Sequence, residues 1–199
     1  MTHVPIRLYL ARHGRTAWNL ERRFQGTTDI PLDDVGRAQA LELADALRGR
    51  FETVLASNLA RASETAQIVA NALNLELLAR DPDLRERGYG KFEGLTADEC
   101  AAQYPEVWND PKRDRNFLPP GGEPVEEVAA RVTRGLLRCV ERLRGRYQSA
   151  LVVSHGTALR LFLEQLSGAR VTSLANLEYR EVVHDGTRFT LVERAPAIP

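Results

Sequence analysis

Leu10-Ala11-Arg12-His13-Gly14 near the start of the chain and Val152-Val153-Ser154-His155-Gly156 near its end follow one pattern. Each is an apolar run that stops at a histidine followed by glycine. Ile6, Leu8 and Leu10 alternate with Arg7 and Tyr9, and 149–154 is a short buried-strand pattern, so both runs read as strands. Ligands of open α/β sheets collect at the carboxyl ends of the strands, so the fold could bring His13 and His155 to one site.

Working outward, Val35, Ala38, Leu43 and Leu47 recur at helical spacing over 34–48, ahead of Gly49 as a stop. Thr53-Val54-Leu55-Ala56 reads as a short strand. Leu59, Ala62, Ala66, Val69, Ala70 and Leu73 then share one helical face, with Ser57 or Asn58 as the natural N-cap. A longer helix carries Val125, Val128, Ala129, Val132, Leu136, Cys139, Val140 and Leu143 at intervals of three and four. At the end of the chain, 177–183 and 187–193 flank Asp185-Gly186, a two-residue hairpin signal. The alternation predicts an α/β fold: a three-layer α/β/α sandwich with a mostly parallel central sheet and an antiparallel edge. Residues 81–122 break the rhythm, being rich in proline and glycine with one weak helix near 97–104. We read a small cap or lid insertion at about 88–122 within one domain spanning 1–199.

The 199 residues suit one domain, and 43% hydrophobic with 27% charged residues can build a core and a solvated surface. Lys plus Arg and Asp plus Glu are equal at 27 each, which removes the long-range attraction that would favour nucleic acid or an anionic membrane as partner. Any anion must be caught locally. Cys100 and Cys139 are too few for a disulfide framework or a Cys-rich zinc site, and Cys139 reads as buried packing. With no membrane-length apolar run and no leader pattern in the first fourteen residues, cytoplasmic is the default location.

A single strand-end histidine is more simply bonded to a neighbouring loop, and a lone Arg61 in Ser57-Asn58-Leu59-Ala60-Arg61-Ala62 is more simply solvated. The pair of histidines with Arg12 and Arg61 reads differently. Zinc would want a third ligand and would be repelled by the arginines, whereas guanidinium groups bind phosphate bidentately and keep their charge. Arg61 also opens a helix whose N-terminus favours anions. No metal is expected. The convergence favours phosphate.

Five ordered blocks carry a resemblance: Leu10 through Asn19, Phe24-Gln25-Gly26 with Asp29-Ile30-Pro31-Leu32, Ser57 through Ala66, Leu84 through Gly94, and Ser154-His155-Gly156. Together they resemble the histidine phosphatase superfamily, also called the phosphoglycerate mutase-like family. The resemblance implies that His13 is a nucleophile taking the phosphoryl group as a phosphohistidine, with Arg12, Arg61 and His155 around the transferring group. It implies Glu86 as general acid and then base. Asn19, Gln25, Gly26 and Gly156 are expected to line the phosphate pocket, with Thr16 and Tyr89 as weaker candidates. Neither metal nor cofactor is implied, and the implied partner is a small phosphorylated molecule. The activity expected is phosphomonoester hydrolysis. A cofactor-dependent phosphoglycerate mutase is the alternative inside the family, and an inactive phospho-ligand binding protein on the same fold is the alternative outside it. A short cap favours the hydrolase.

Two positions depart from the family pattern: Arg15 stands where Glu is common, and Pro124 follows Gly121-Gly122-Glu123 where Ser is common. Arg113 and Arg115 are either solvated cap residues or contacts to an acidic substrate. The edge hairpin could pair with another copy, giving a homodimer.

Overall fold

The computed structural model describes residues 4–111 and 113–192. Strands β1 (Ile6–Arg12), β2 (Thr53–Ser57), β3 (Leu77–Asp81) and β4 (Ser149–Ser154) are parallel; β5 (Tyr179–His184) and β6 (Phe189–Leu191) continue the sheet antiparallel. The order is β3-β2-β4-β1-β5-β6, so the two histidine-bearing strands are neighbours.

Both faces of β1 are apolar because each meets a helical layer. Leu8 and Leu10 pack with α6 (Val125–Leu143) and α7 (Gly156–Ser167). Tyr9 and Ala11 point the other way, onto α2 (Asp34–Ala46) and α3 (Ala60–Leu73). Ala150 and Val152 of β4 join the first cluster, Leu151 and Val153 the second. That two-way alternation makes three layers, as expected for an α/β sandwich with a mostly parallel sheet. Cys139 is buried in the first cluster.

The residues between β3 and α6 are less regular. Two single 3-10 turns, Pro82–Leu84 and Gly90–Phe92, precede α4 (Ala97–Gln103) and α5 (Pro105–Trp108); α1 (Ala17–Leu20) is equally short. The segment has an aromatic centre, in which Phe92 has Phe24, Tyr104, Trp108 and Phe117 within 6.0 Å between centroids. Among the described residues no helix is long and apolar enough to cross a membrane.

Three local expectations need correction. Neither Ser57 nor Asn58 caps α3; Leu59 occupies the N-cap without a side-chain bond. Ser57 is engaged by His155, and the Ala60 N–H is satisfied from afar by Asp29 Oδ1 at 2.6 Å. The hairpin turn is centred one residue later than expected, on Gly186-Thr187, with the Asp185 N–H donating to the Arg188 carbonyl. Gly186 takes φ +106°, and Asp185 Oδ1 accepts the N–H groups of Thr187 and Arg188. Finally, β5 starts at Tyr179, because Leu177 donates its N–H to Arg12 O in the loop that closes over the end of β1. Glu193, the last residue of the expected final strand, lies outside the described residues.

Candidate active site

Because Arg12 pairs with Ser154 in the β1–β4 register, the two histidines that follow leave the sheet side by side. Their ring centroids are 5.1 Å apart. Gly14 permits this exit: a Cβ there would lie 2.5 Å from the Gly36 carbonyl oxygen, where the loop crosses the start of α2. Its N–H donates to Thr65 Oγ1, whose hydroxyl donates to Arg61 O. The loop after His13 is thereby tied to the helix that carries Arg61.

The His13 ring is polarised by its neighbours. Nδ1 lies 2.7 Å from the Gly14 carbonyl, which can only accept, so Nδ1 carries the proton. Arg61 Nε–H donates to Nε2 at 3.3 Å, which leaves the lone pair of the neutral ring on the Arg61 side. Burial, with the charges of Arg61 and then Arg12, holds the His13 pKa well below the usual histidine value. His155 is lowered likewise, by burial and then Arg61. Its Nε2 shares a 2.8 Å hydrogen bond with Ser57 Oγ, and its Nδ1 has no partner in the protein.

Arg61 is fully buried, and burial lowers its pKa to about 10, which still keeps it charged at neutral pH. Its two Nη atoms donate to the carbonyls of Thr28 and Gly26 at 2.9 and 2.8 Å, fixing the guanidinium edge-on to His13. It is this side chain, not the N-terminus of α3, that reaches the nucleophile candidate. Arg12 Nη1 donates to Leu174 O, and its buried Nε has no partner. Gly156 lies under that guanidinium, where a Cβ would come within 3.4 Å of Nε.

Glu86 arrives from the loop after β3. Its Oε1 accepts the Arg87 and Ala158 N–H groups at 2.8 and 2.9 Å, and its Oε2 the Thr157 N–H at 3.1 Å. Glu86 thus holds the first turn of α7, whose N-terminal N–H groups suit an anion.

A cavity of about 160 Å³ is lined by Arg12, His13, Asn19, Gln25, Gly26, Arg61, Glu86, Tyr89 and Gly156, all expected from the sequence. It is lined as well by Arg23, Phe24, Thr157 and Ser173, which were not. Phe24 stands inside the block Phe24-Gln25-Gly26, Arg23 precedes it and Thr157 follows His155-Gly156, so membership of or adjacency to the motifs was the available signal. Ser173 carried none. Two expected residues do not line the cavity. Thr16 is fully buried and forms a reciprocal cap with Asn19 at the start of α1. His155 lies beside His13, fully enclosed. Tyr89 donates or accepts a 2.7 Å bond with Thr157 Oγ1, and burial pushes its phenol up to about 12.

Arg113 and Arg115 are also placed elsewhere. Arg113 lies 4.0 Å above the Trp108 ring, and Arg115 pairs with Glu164 and Val171 O. Of the two departures, Arg15 pairs with Asp33 at 2.8 Å, and Pro124 leaves the start of α6 without a side-chain cap. Among the described residues, no group of three or more His, Cys, Asp or Glu is placed to hold a metal ion.

The pattern of the histidine phosphatase superfamily, branch 1, matches residues 8–195. This chain belongs to that superfamily. Phosphoglycerate mutase-like protein 4 of Arabidopsis thaliana is 34% identical over 191 residues, covering 92% of this chain and 82% of that protein. The "Uncharacterized phosphatase PhoE" of Bacillus subtilis is 32% identical over 182 residues, covering 86% and 88%. Among solved structures, a putative alpha-ribazole-5'-P phosphatase from Escherichia coli superposes with TM-score 0.80 at 28% identity, over 94% of each chain. Members of the superfamily are phosphatases or mutases by these names.

Proposed function

We propose that this protein is a metal-independent phosphomonoesterase that turns over a small phosphorylated metabolite through a phosphohistidine at His13. The observation carrying this is the His13 ring itself: neutral, with its proton fixed on Nδ1 by Gly14 O and its Nε2 lone pair beside Arg61 at the cavity. A nucleophile needs that lone pair, and a buried charged pair of guanidinium groups beside it suits a phosphoryl group.

In the first step Nε2 bonds to phosphorus as the bond to the leaving oxygen breaks on the opposite side, and Glu86 in its acid form gives that oxygen its proton. Arg12 and Arg61, which line the cavity, offset charge on the equatorial oxygens, while the His155 ring packs beside that of His13. Water then attacks phosphorus, passing a proton to the Glu86 carboxylate while the P–N bond breaks. Inorganic phosphate leaves and His13 is restored. Arg12 and Arg61 supply the positive charge that a metal would otherwise bring.

The test is hydrolysis of p-nitrophenyl phosphate by purified protein in excess chelator. We expect turnover undiminished by the chelator and lost in His13→Ala by at least about 10³-fold. Strict dependence on an added metal, or a normal rate in His13→Ala, would overturn the reading.

A further inference from the structure

The nucleophile and the acid candidate are supported by different parts of the molecule. His13 directly follows β1 and is held by Gly14 and Arg61. Glu86 sits just after the 3-10 turn Pro82–Leu84, in residues 85–88, where no sheet or helix ladder fixes the backbone. That segment is nevertheless heavily bonded, and its bonds converge on two residues outside the cavity.

Arg131, on α6, is 3% exposed and uses all five of its N–H donors. Nη1 donates to Asp83 O at 2.9 Å and Arg85 O at 2.7 Å; Nη2 donates to Glu86 O at 2.9 Å. The remaining two donors form a fork on the Glu123 carboxylate, at 2.7 and 2.8 Å. Glu123 in turn accepts the Gly88 N–H on Oε2, donates its own N–H to Gly88 O, and accepts Arg87 Nε on its carbonyl. Of the six residues from Asp83 to Gly88, all but Leu84 are therefore tied to this buried pair.

We propose that Arg131 and Glu123 are positioning residues for Glu86, setting the backbone from which its carboxylate reaches the leaving oxygen. The inference rests on the acid role given to Glu86 above. A lysine at 131 would keep the charge but offers three donors on one nitrogen, so it cannot span three carbonyls and a carboxylate at once. Glu123→Gln keeps the shape and one carbonyl oxygen while removing the charged fork.

The readout that separates positioning from stability is dependence on the leaving group. In kcat/KM, which reports steps up to departure of the alcohol, 2,4-dinitrophenyl phosphate needs no proton and phenyl phosphate does. We expect Arg131→Lys and Glu123→Gln each to stay within about threefold of the parent on the first ester and to fall by about tenfold or more on the second. Glu86→Gln on the same series should show the same pattern with a larger loss. Inhibition by inorganic phosphate should be unchanged in the Arg131 and Glu123 variants, because the guanidinium groups that would hold it, of Arg12 and Arg61, are carried by β1 and α3. Equal losses on both esters in these variants, with Glu86→Gln still selective, would overturn the positioning role alone. Equal losses in Glu86→Gln would overturn the acid role and the positioning role with it. If Arg131→Lys does not fold, Glu123→Gln decides the matter by the same comparison.

Discussion

Desolvation leaves His13 and His155 uncharged at neutral pH, and the arginines beside them deepen the effect. The consequence for stability has a definite sign. In the unfolded chain both rings bind a proton near pH 6.5, whereas in the folded chain they do so only at lower pH. Stability is therefore complete above about pH 6.5 and falls below it, by about 1.4 kcal/mol per pH unit for each histidine until its folded value is reached. Urea midpoints measured from about pH 8 to about pH 5.5 should show this decline, and His13→Asn should lessen its slope. A flat profile across that range would contradict the burial argument. At this scale the sequence was informative where side chain and motif coincide, as at His13, Arg61 and Glu86. It misled at Thr16, whose hydroxyl and that of a pocket residue look alike until the cap with Asn19 is seen. The Arg131–Glu123 pair was illegible, since a helix-borne arginine and a loop glutamate at that spacing look like any solvated charges.

Strands β1 and β4 were readable as apolar runs because two helical layers bury both of their faces. Strand β3 and helix α7 gave no usable signal, for opposite reasons. The first is a half-exposed edge strand that includes Arg80 and Asp81. The second is apolar around most of its surface, packed among β1, α6 and β6, which blurs helical periodicity. Helix α6 reads cleanly because only one face is covered. Its Leu143 is fully buried and precedes the N-terminal end of β4, at the far end of the sheet from His155. Leu143→Ala should cost about 2–5 kcal/mol by denaturant unfolding and leave kcat/KM of the folded protein unchanged. A change in kcat/KM without loss of stability would mean the two ends of the sheet are coupled in a way the packing does not suggest.

For the whole molecule, balanced charge directs attention to a local anion site, and the fold places a cavity lined by Arg12, Arg23 and Arg61 at the carboxyl ends of the central strands. What happens to the phosphoryl group afterwards depends on the irregular residues between β3 and α6. A mutase must shelter its phosphoenzyme until substrate recaptures the group, and we read this short segment as too small for that. Given 3-phosphoglycerate with a trace of 2,3-bisphosphoglycerate, the protein should release free phosphate well in excess of 2-phosphoglycerate. Predominant isomerisation would assign it to the mutases instead. The sequence conveyed the family and the sheet but not this partition, because Arg113 and Arg115, left open between solvent and substrate, pack on Trp108 and Glu164.

The central claim is a covalent phosphoryl group on one nitrogen of His13. It is tested most directly by quenching turnover within milliseconds in alkali, which spares phosphohistidine, and mapping the adduct by mass spectrometry. The account predicts a phosphorylated peptide containing His13, absent from His13→Ala; a phosphoryl group on any other residue, or steady turnover with none trapped under conditions that preserve it, would contradict it.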